Sequence, residues 1–302
     1  MPRDVSNPDR QQGRYYTPPV LVEAMLRFAL DPLLQSVSGP LRILDPACGE
    51  GAFLLAVADH LESWHVQQHD SGVAPSPSQL LGVDVDRSAL RTLQLHNATN
   101  IQLHWGDALT GRGFEDPDLS ACLHSAGAEL TPALDWRETF PDVARDGGFD
   151  LIIGNPPYRR ERASKTFLDC LKESPLGKRW YQARLDLWAY FLHRGLDLLR
   201  QGGRLAFVLP SYWTASTAAA RLIERLRTET TILDVVQLGR ARVFPDVEGW
   251  HLILHLIKGK ESQPCRVWDL TCSGENWSRD VARLNPQWIA EESNPDGDHV
   301  RP

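Results

Sequence analysis

Leu41-Arg42-Ile43-Leu44-Asp45-Pro46-Ala47-Cys48-Gly49-Glu50-Gly51-Ala52-Phe53 carries the reading of the fold. An apolar strand ends in an acid, turns through two glycines and enters a helix. Glycines permit a tight turn and let a ligand approach the backbone closely. Many nucleotide enzymes share such a turn, and an unliganded strand-to-helix connection fits it as well. The strands downstream decide between the two.

Short apolar runs at 41–45, 80–84, 101–105, 150–154, 203–209, 232–238 and 251–257 read as strands. Helical stretches at 19–30, 52–64, 87–97, 185–200 and 218–227 alternate with them. Strands separated by helices of that length form βαβ units and a mainly parallel sheet. The spacing therefore predicts a Rossmann-like α/β fold with a seven-stranded, mainly parallel sheet. The short 239–249 connection predicts a closing antiparallel strand. Stretches 65–78 and 111–148 read as loops, the second as a long acidic insertion.

Two further strand ends carry acids. Asp84 closes Leu81-Gly82-Val83-Asp84, where a carboxylate can accept both ribose hydroxyl hydrogens. Asp107 follows the third strand, where it can accept from an adenine amino group. No GxxxxGK[ST] motif occurs, so the pocket suits an adenosine without a triphosphate. Asp45 beside the turn suits a cationic sulfonium amino acid better than a phosphate.

The fourth strand runs into Asn155-Pro156-Pro157-Tyr158 at its carboxyl end, where open α/β sheets place their sites. Asn-Pro-Pro alone is a turn signal. The chemistry gives it more content. An amino group conjugated to a base ring is a poor nucleophile, because its lone pair is delocalised. The Asn155 side-chain oxygen and the Pro156 carbonyl can each accept one amine hydrogen and free that lone pair. Pro156 and Pro157 stiffen the loop. Tyr158 offers a ring for stacking on a base extruded from a duplex. Between 159 and 184, eight Lys/Arg stand against three acids, and Arg159, Arg160, Arg162 and Lys165 are candidate phosphate contacts.

The bulk numbers bound the rest. The 302 residues, 42% hydrophobic, suffice for one large α/β domain. A net charge of −7 argues against a general polyanion binder, although 110–150 carries nine acids against three Lys/Arg and accounts for much of it. The polar N-terminus has no secretory core, and no apolar run reaches the roughly 18 residues of a membrane span. Five scattered cysteines without a CxxC pair point to a reduced, cytoplasmic protein without a zinc site. His251 and His255 sit four apart in an extended run, too far apart to share one ion easily.

From about Arg14 to about Leu270 the sequence resembles the gamma-class DNA N6-adenine methyltransferases of restriction–modification systems, including the methylase parts of fused Type IIG enzymes. Tyr15-Tyr16-Thr17-Pro18-Pro19 precedes the glycine turn, as in that class. The resemblance implies the class I methyltransferase fold and S-adenosylmethionine as cofactor. Tyr16 and Thr17 would cover its methionine part, with Asp45, Ala47, Gly49 and Gly51 in the first cofactor loop. Asp84 and Asp107 match the ribose and adenine acids. Asn155, Pro156 and Tyr158 match the catalytic loop, with Asn155 also facing the cofactor. Asp186-Leu187-Trp188-Ala189-Tyr190-Phe191 and 202–210 match the following helix and strand. Val243-Phe244-Pro245 resembles the segment that supplies a second aromatic, Phe244; a core Phe at a hairpin bend fits equally.

The resemblance divides the chain into a cofactor-capping segment (1–40), a catalytic domain (41–272) and a polar tail (273–302). Family members that read sequence alone carry a recognition domain of well over a hundred residues, which the tail does not match. Double-stranded DNA is the implied partner, with a specificity or restriction subunit in trans and no membrane. Alternatives are RNA or protein glutamine N-methylation, since related loops serve those substrates, and a non-catalytic docking subunit.

Overall fold

The computed structural model describes residues 17–37, 39–68, 78–96, 100–116, 131–158, 165–183, 185–212, 217–239, 250–270 and 281. Its strands are β1 (Arg42–Asp45), β2 (Gln79–Asp84), β3 (Ile101–Trp105), β4 (Phe149–Gly154), β5 (Leu199–Pro210), β6 (Thr230–Gly239), β7 (His251–Lys258) and β8 (Arg266–Asp269). The helices are α1 (Pro19–Ala29), α2 (Asp31–Ser36), α3 (Ala52–Gln68), α4 (Arg87–Gln94), α5 (Trp136–Thr139), α6 (Pro141–Arg145), α7 (Lys165–Glu173), α8 (Pro175–Trp180), α9 (Leu187–Leu198) and α10 (Ala220–Glu229).

One sheet has the order β3-β2-β1-β4-β5-β7-β6-β8. Strands β1 to β5 run parallel, and β7 is antiparallel to both β5 and β6. Helices cover both faces, so the central strands are apolar without alternation: all six residues of β4 are buried. Leu205, Phe207, Leu209, Leu252, Leu254 and Leu256 pack into one layer with α9. Ile43, Leu151, Ile153, Ala206, Val208 and Ile253 pack into the other, with α1 and α3. Helix α1 contributes seven buried side chains, so from residue 19 on the N-terminal segment is built into the core. Val281, from the stretch read as a polar tail, is fully buried in the same layer.

The seven expected strands are all present, and β8 is an addition. It pairs parallel with β6, and its residues alternate between half-buried and exposed. Arg-Val-Trp-Asp has too few apolar residues to read as a strand. Its anchor is an ion pair: Arg266 donates to both oxygens of Asp234, at 2.7 and 2.9 Å.

The acidic insertion is also more ordered than a loop. Its helices α5 and α6 span four and five residues, too short for a helical period to show. They bury Trp136, Phe140 and Val143, and both rings meet Phe149 edge-on at 6.3 and 5.9 Å. Part of the basic stretch is structural rather than solvated. Helices α7 and α8 lie within it, and Arg179 bridges Asp116 and Asp197, each at 2.6 Å.

Candidate active site

The chain leaves β1 for β2 and β3 on one side, then returns to place β4 on the other. The carboxyl ends of β1 and β4 therefore flank the point where strand order reverses, the crevice in which open α/β sheets bind ligands. The two ends touch. A Cβ added to Gly154 would lie 2.6 Å from Oδ1 of Asp45, so only glycine lets the acid of the first turn meet the strand that launches Asn155.

Three carboxylates ring this end. Asp45 is 2% exposed and accepts the Ala47 N–H at 3.1 Å. Burial pushes its pKa up to about 8; the Ala47 N–H pulls it down, and the Asp84 charge adds to the rise. Asp84 accepts the N–H of Gly49 and of Asp86, both at 2.8 Å, which ties the first turn to the end of β2. Asp107 accepts the Leu109 N–H at 2.9 Å and the Thr110 hydroxyl; burial raises its pKa against those bonds. Among the described residues, neither Asp45 nor Asp107 has a cation within salt-bridge reach. The Arg194 charge partly offsets the burial of Asp107, whereas Asp45 faces only the Asp84 charge, and a buried acid placed so suits a ligand that brings positive charge and hydrogen-bond donors.

The two glycines of the turn serve different ends. Gly49 has φ +53° and open space where a Cβ would stand, leaving its backbone approachable. Gly51 has φ +88°, and its Cβ would come within 2.3 Å of Leu93. Its lack of a side chain admits α4 rather than a ligand.

In the loop after β4, Asn155 is held at both ends of its amide. Its Nδ2 donates to Thr17 Oγ1 at 3.2 Å, and its Oδ1 accepts the Tyr158 hydroxyl at 2.6 Å. Thr17 is 3% exposed and stands just before α1, so the N-terminal segment reaches the loop itself. Pro156 is buried and Pro157 half-buried. Tyr158 is 5% exposed, and its ring packs against that of His251, with centroids 5.3 Å apart and planes 34° from parallel.

Sequence reasoning passed over two residues of this neighbourhood. His251, at the start of β7, was legible only as half of a metal-like pair. Burial lowers its pKa to about 4, so the ring against Tyr158 is a neutral imidazole. His255 instead pairs with Asp234 at 2.7 Å, and among the described residues no cluster of three His, Cys, Asp or Glu could hold a metal ion. Arg194, fully buried on α9, donates to the carbonyls of Leu109 and Gly111 at 2.9 and 2.7 Å, fixing the loop after Asp107. A lone arginine in an apolar helix gives no sequence signal of that contact. Tyr16, Arg159, Arg160, Arg162 and Phe244 lie outside the described residues, and Lys165 is known only as the start of α7.

The sheet order, the glycine turn and the polar loop after β4 are those of the class I S-adenosylmethionine-dependent methyltransferase fold, which implies S-adenosylmethionine as cofactor. A Listeria monocytogenes protein assigned to that class superposes with a TM-score of 0.59 at 17% identity, over 91% of this chain and 70% of that one. The chain belongs to the Eco57I restriction-modification methylase family, whose sequence model matches residues 78–244. The Type II methyltransferase M.TthHB8I of Thermus thermophilus is 29% identical over 287 residues, covering 93% of this chain and 53% of the relative. The same fold also recurs in a DrdV–DNA complex, with a TM-score of 0.61 and 18% identity over 97% of this chain and 31% of that one. The chain spans about half the length of the curated relatives it matches, or less. Among the described residues, no helix is long and apolar enough to cross a membrane.

Proposed function

We propose that this chain transfers a methyl group from S-adenosylmethionine to the N6 amino group of an adenine flipped out of double-stranded DNA. The observation that carries the reading is the fixed amide of Asn155, locked between Thr17 and Tyr158 beside the buried carboxylate of Asp45. The donor supplies an electrophilic methyl group when bound. Asp84 and Asp107 would hold its ribose and adenine, Asp45 its cationic amino-acid part, and the Gly49 backbone would approach it closely.

The rest follows from the loop. A carbonyl oxygen has two lone pairs, so Oδ1 of Asn155 can accept an amine hydrogen while the Tyr158 hydroxyl engages the other. With the Thr17 hydroxyl accepting from the amide NH2, Oδ1 is the end turned to Tyr158 and to the incoming amine. With its hydrogens drawn to Asn155 and Pro156, the N6 lone pair is released from the ring and can attack the methyl carbon. The donor would give up its methyl group and depart as a neutral thioether, and the methylated amine would shed one proton to solvent. Tyr158 and Phe244 would sandwich the base, while Arg159, Arg160, Arg162 and Lys165 would meet backbone phosphates. A recognition or restriction subunit in trans, or further chain, would supply target choice, in keeping with the half-length match to the relatives.

The test is methyl transfer in vitro from labelled donor to unmethylated DNA. Label should appear as N6-methyladenine. Label in cytosine, in RNA or in a glutamine side chain would overturn the substrate assignment.

A further inference from the structure

Arg194 is fully buried on α9, and the transfer chemistry does not use it. A buried cation is weak evidence of stability, because apolar residues of similar volume often serve a fold as well. Its ion pair is also loose. Nη1 stands 3.7 Å from one oxygen of Asp116, whose other oxygen is taken by Arg179 at 2.6 Å. What Arg194 does make are two close hydrogen bonds to the loop after β3, from Nη2 to the carbonyls of Leu109 and Gly111 at 2.9 and 2.7 Å. The guanidinium runs close along this backbone: a Cβ on Gly113 would lie 2.6 Å from Nη1.

Leu109 links that grip to Asp107. Its carbonyl accepts from Arg194, and its N–H donates to Oδ1 of Asp107 at 2.9 Å. Thr110, between the two gripped carbonyls, donates its hydroxyl to Oδ2 of the same acid. Both oxygens of Asp107 are thus set by a stretch that Arg194 holds at each end, and each keeps a lone pair for a ligand donor. The flanks of the stretch are held as well. The Trp136 indole meets the Ala108 carbonyl at 3.1 Å, and Asp116 accepts the Gly113 N–H at 2.7 Å. Burial raises the Asp107 pKa, while the Thr110 hydroxyl, the Leu109 N–H and the Arg194 charge lower it. The arginine therefore also favours the ionised carboxylate, the stronger acceptor.

We propose that Arg194 is a positioning residue for the cofactor: by gripping the Leu109 and Gly111 carbonyls it aims the Asp107 carboxylate at the 6-amino group of the adenine, and so sets the preference for an adenosyl donor. The proposal rests on the reading of Asp107 as the acid that accepts from that amine. A carboxylate discriminates only when it is fixed, since a mobile one adapts to whatever ring the ligand presents. Preorganisation of this kind needs a support that does not itself touch the ligand, and a buried guanidinium on a helix of the core supplies it.

The experiment titrates the full chain with S-adenosylhomocysteine and with its analogue carrying hydrogen in place of the 6-amino group, and reads the ratio of the two dissociation constants by calorimetry. The parent should bind the analogue roughly tenfold to a hundredfold more weakly, the worth of one hydrogen bond to a charged acceptor. Arg194→Met fills similar space without donors or charge, and Asp116 keeps Arg179 and the Gly113 N–H. That variant should bind the two ligands within about threefold of each other. Arg194→Lys, whose ammonium ends short of the two carbonyls, should give a ratio between those of the parent and the methionine variant, and it decides by the same rule if the methionine variant does not fold. An arginine that served only the fold would lower the melting temperature or weaken both ligands alike, with the ratio still at the parent value. That result in either variant overturns the proposal and leaves the Asp107 reading standing. A parent that binds both ligands equally would sink the Asp107 reading, and the proposal with it.

Discussion

Asp45 and Asp234 are both buried acids in the same sheet, 2% and 0% exposed, yet their surroundings are opposite. Asp234, midway along β6, accepts from Arg266, from His255 and, at 3.4 Å, from the Trp268 indole. Burial alone would raise its pKa, but those partners outweigh it and hold the carboxyl below the ordinary range. Asp45, at the end of β1, has one backbone N–H and a neighbouring carboxylate, and its pKa climbs to about 8. Asp234 is complete within the chain and cements β8 to β6. Asp45 is left short of partners within the chain, as the proposed ligand site requires. A buried charge satisfied by the fold marks structure, and one left short marks a site.

That contrast predicts function without stability on one side and stability without function on the other. The largest effect is expected in the loop after β4. Asn155→Ala should lower methyl transfer by about a thousandfold or more, the scale of losing a preorganised acceptor. Its cofactor Kd, followed by calorimetry, should not move; joint loss of both would make Asn155 a structural residue. Asp234→Ala should do the opposite, because it strands Arg266 and His255. Removing one partner of a buried pair costs about 3–5 kcal/mol, readable as a fall in the denaturation midpoint with cofactor affinity unchanged. An unaltered midpoint would break the comparison.

Asp45 supplies a pH test. Its native pKa of about 8 lies above the ordinary carboxylate range, so the folded chain keeps a proton that the unfolded chain has released. Stability of the ligand-free protein should therefore fall as pH rises from about 4 through about 8. Affinity for the cationic cofactor should rise over the upper part of that window, as ionised Asp45, facing Asp84, gains a counterion. Asp45→Asn should flatten both profiles in thermal melts and titrations from pH 6 to pH 9. A parent whose cofactor Kd does not change with pH would show that Asp45 meets no positive charge. The smallest effect is expected at His251. His251→Ala removes the ring behind Tyr158 and should reduce kcat a few-fold, roughly the worth of one aromatic contact, while His251→Phe restores it.

The sequence made the cofactor half of this picture legible and hid much of what supports it. Apolar runs bounded by Gly, Pro and acids marked β1 to β7, most plainly at β4, whose six residues are all buried, because a strand buried on both faces must be apolar throughout. The acids at the ends of β1, β2 and β3 and the Asn-Pro-Pro-Tyr loop were legible for the same reason: local sequence places them at strand ends. What remained hidden depends on distant polar partners. β8 is anchored by Arg266 to Asp234, 32 positions away, and the loop after Asp107 by Arg194, more than 80 positions away. Helices α5 and α6 are held by Trp136 and Phe140 against Phe149 rather than by their own period. His251 reaches Tyr158 across the sheet from the antiparallel strand, a contact no spacing along the chain encodes.

The most direct test of the central claim is to express this chain in a methylation-free host and read the genome for modified bases at single-nucleotide resolution. Adenines carrying an N6-methyl group, absent when Asn155→Ala replaces the parent, are the predicted result. Methylation confined to cytosine, or N6-methyladenine that persists in the Asn155→Ala strain, would contradict it.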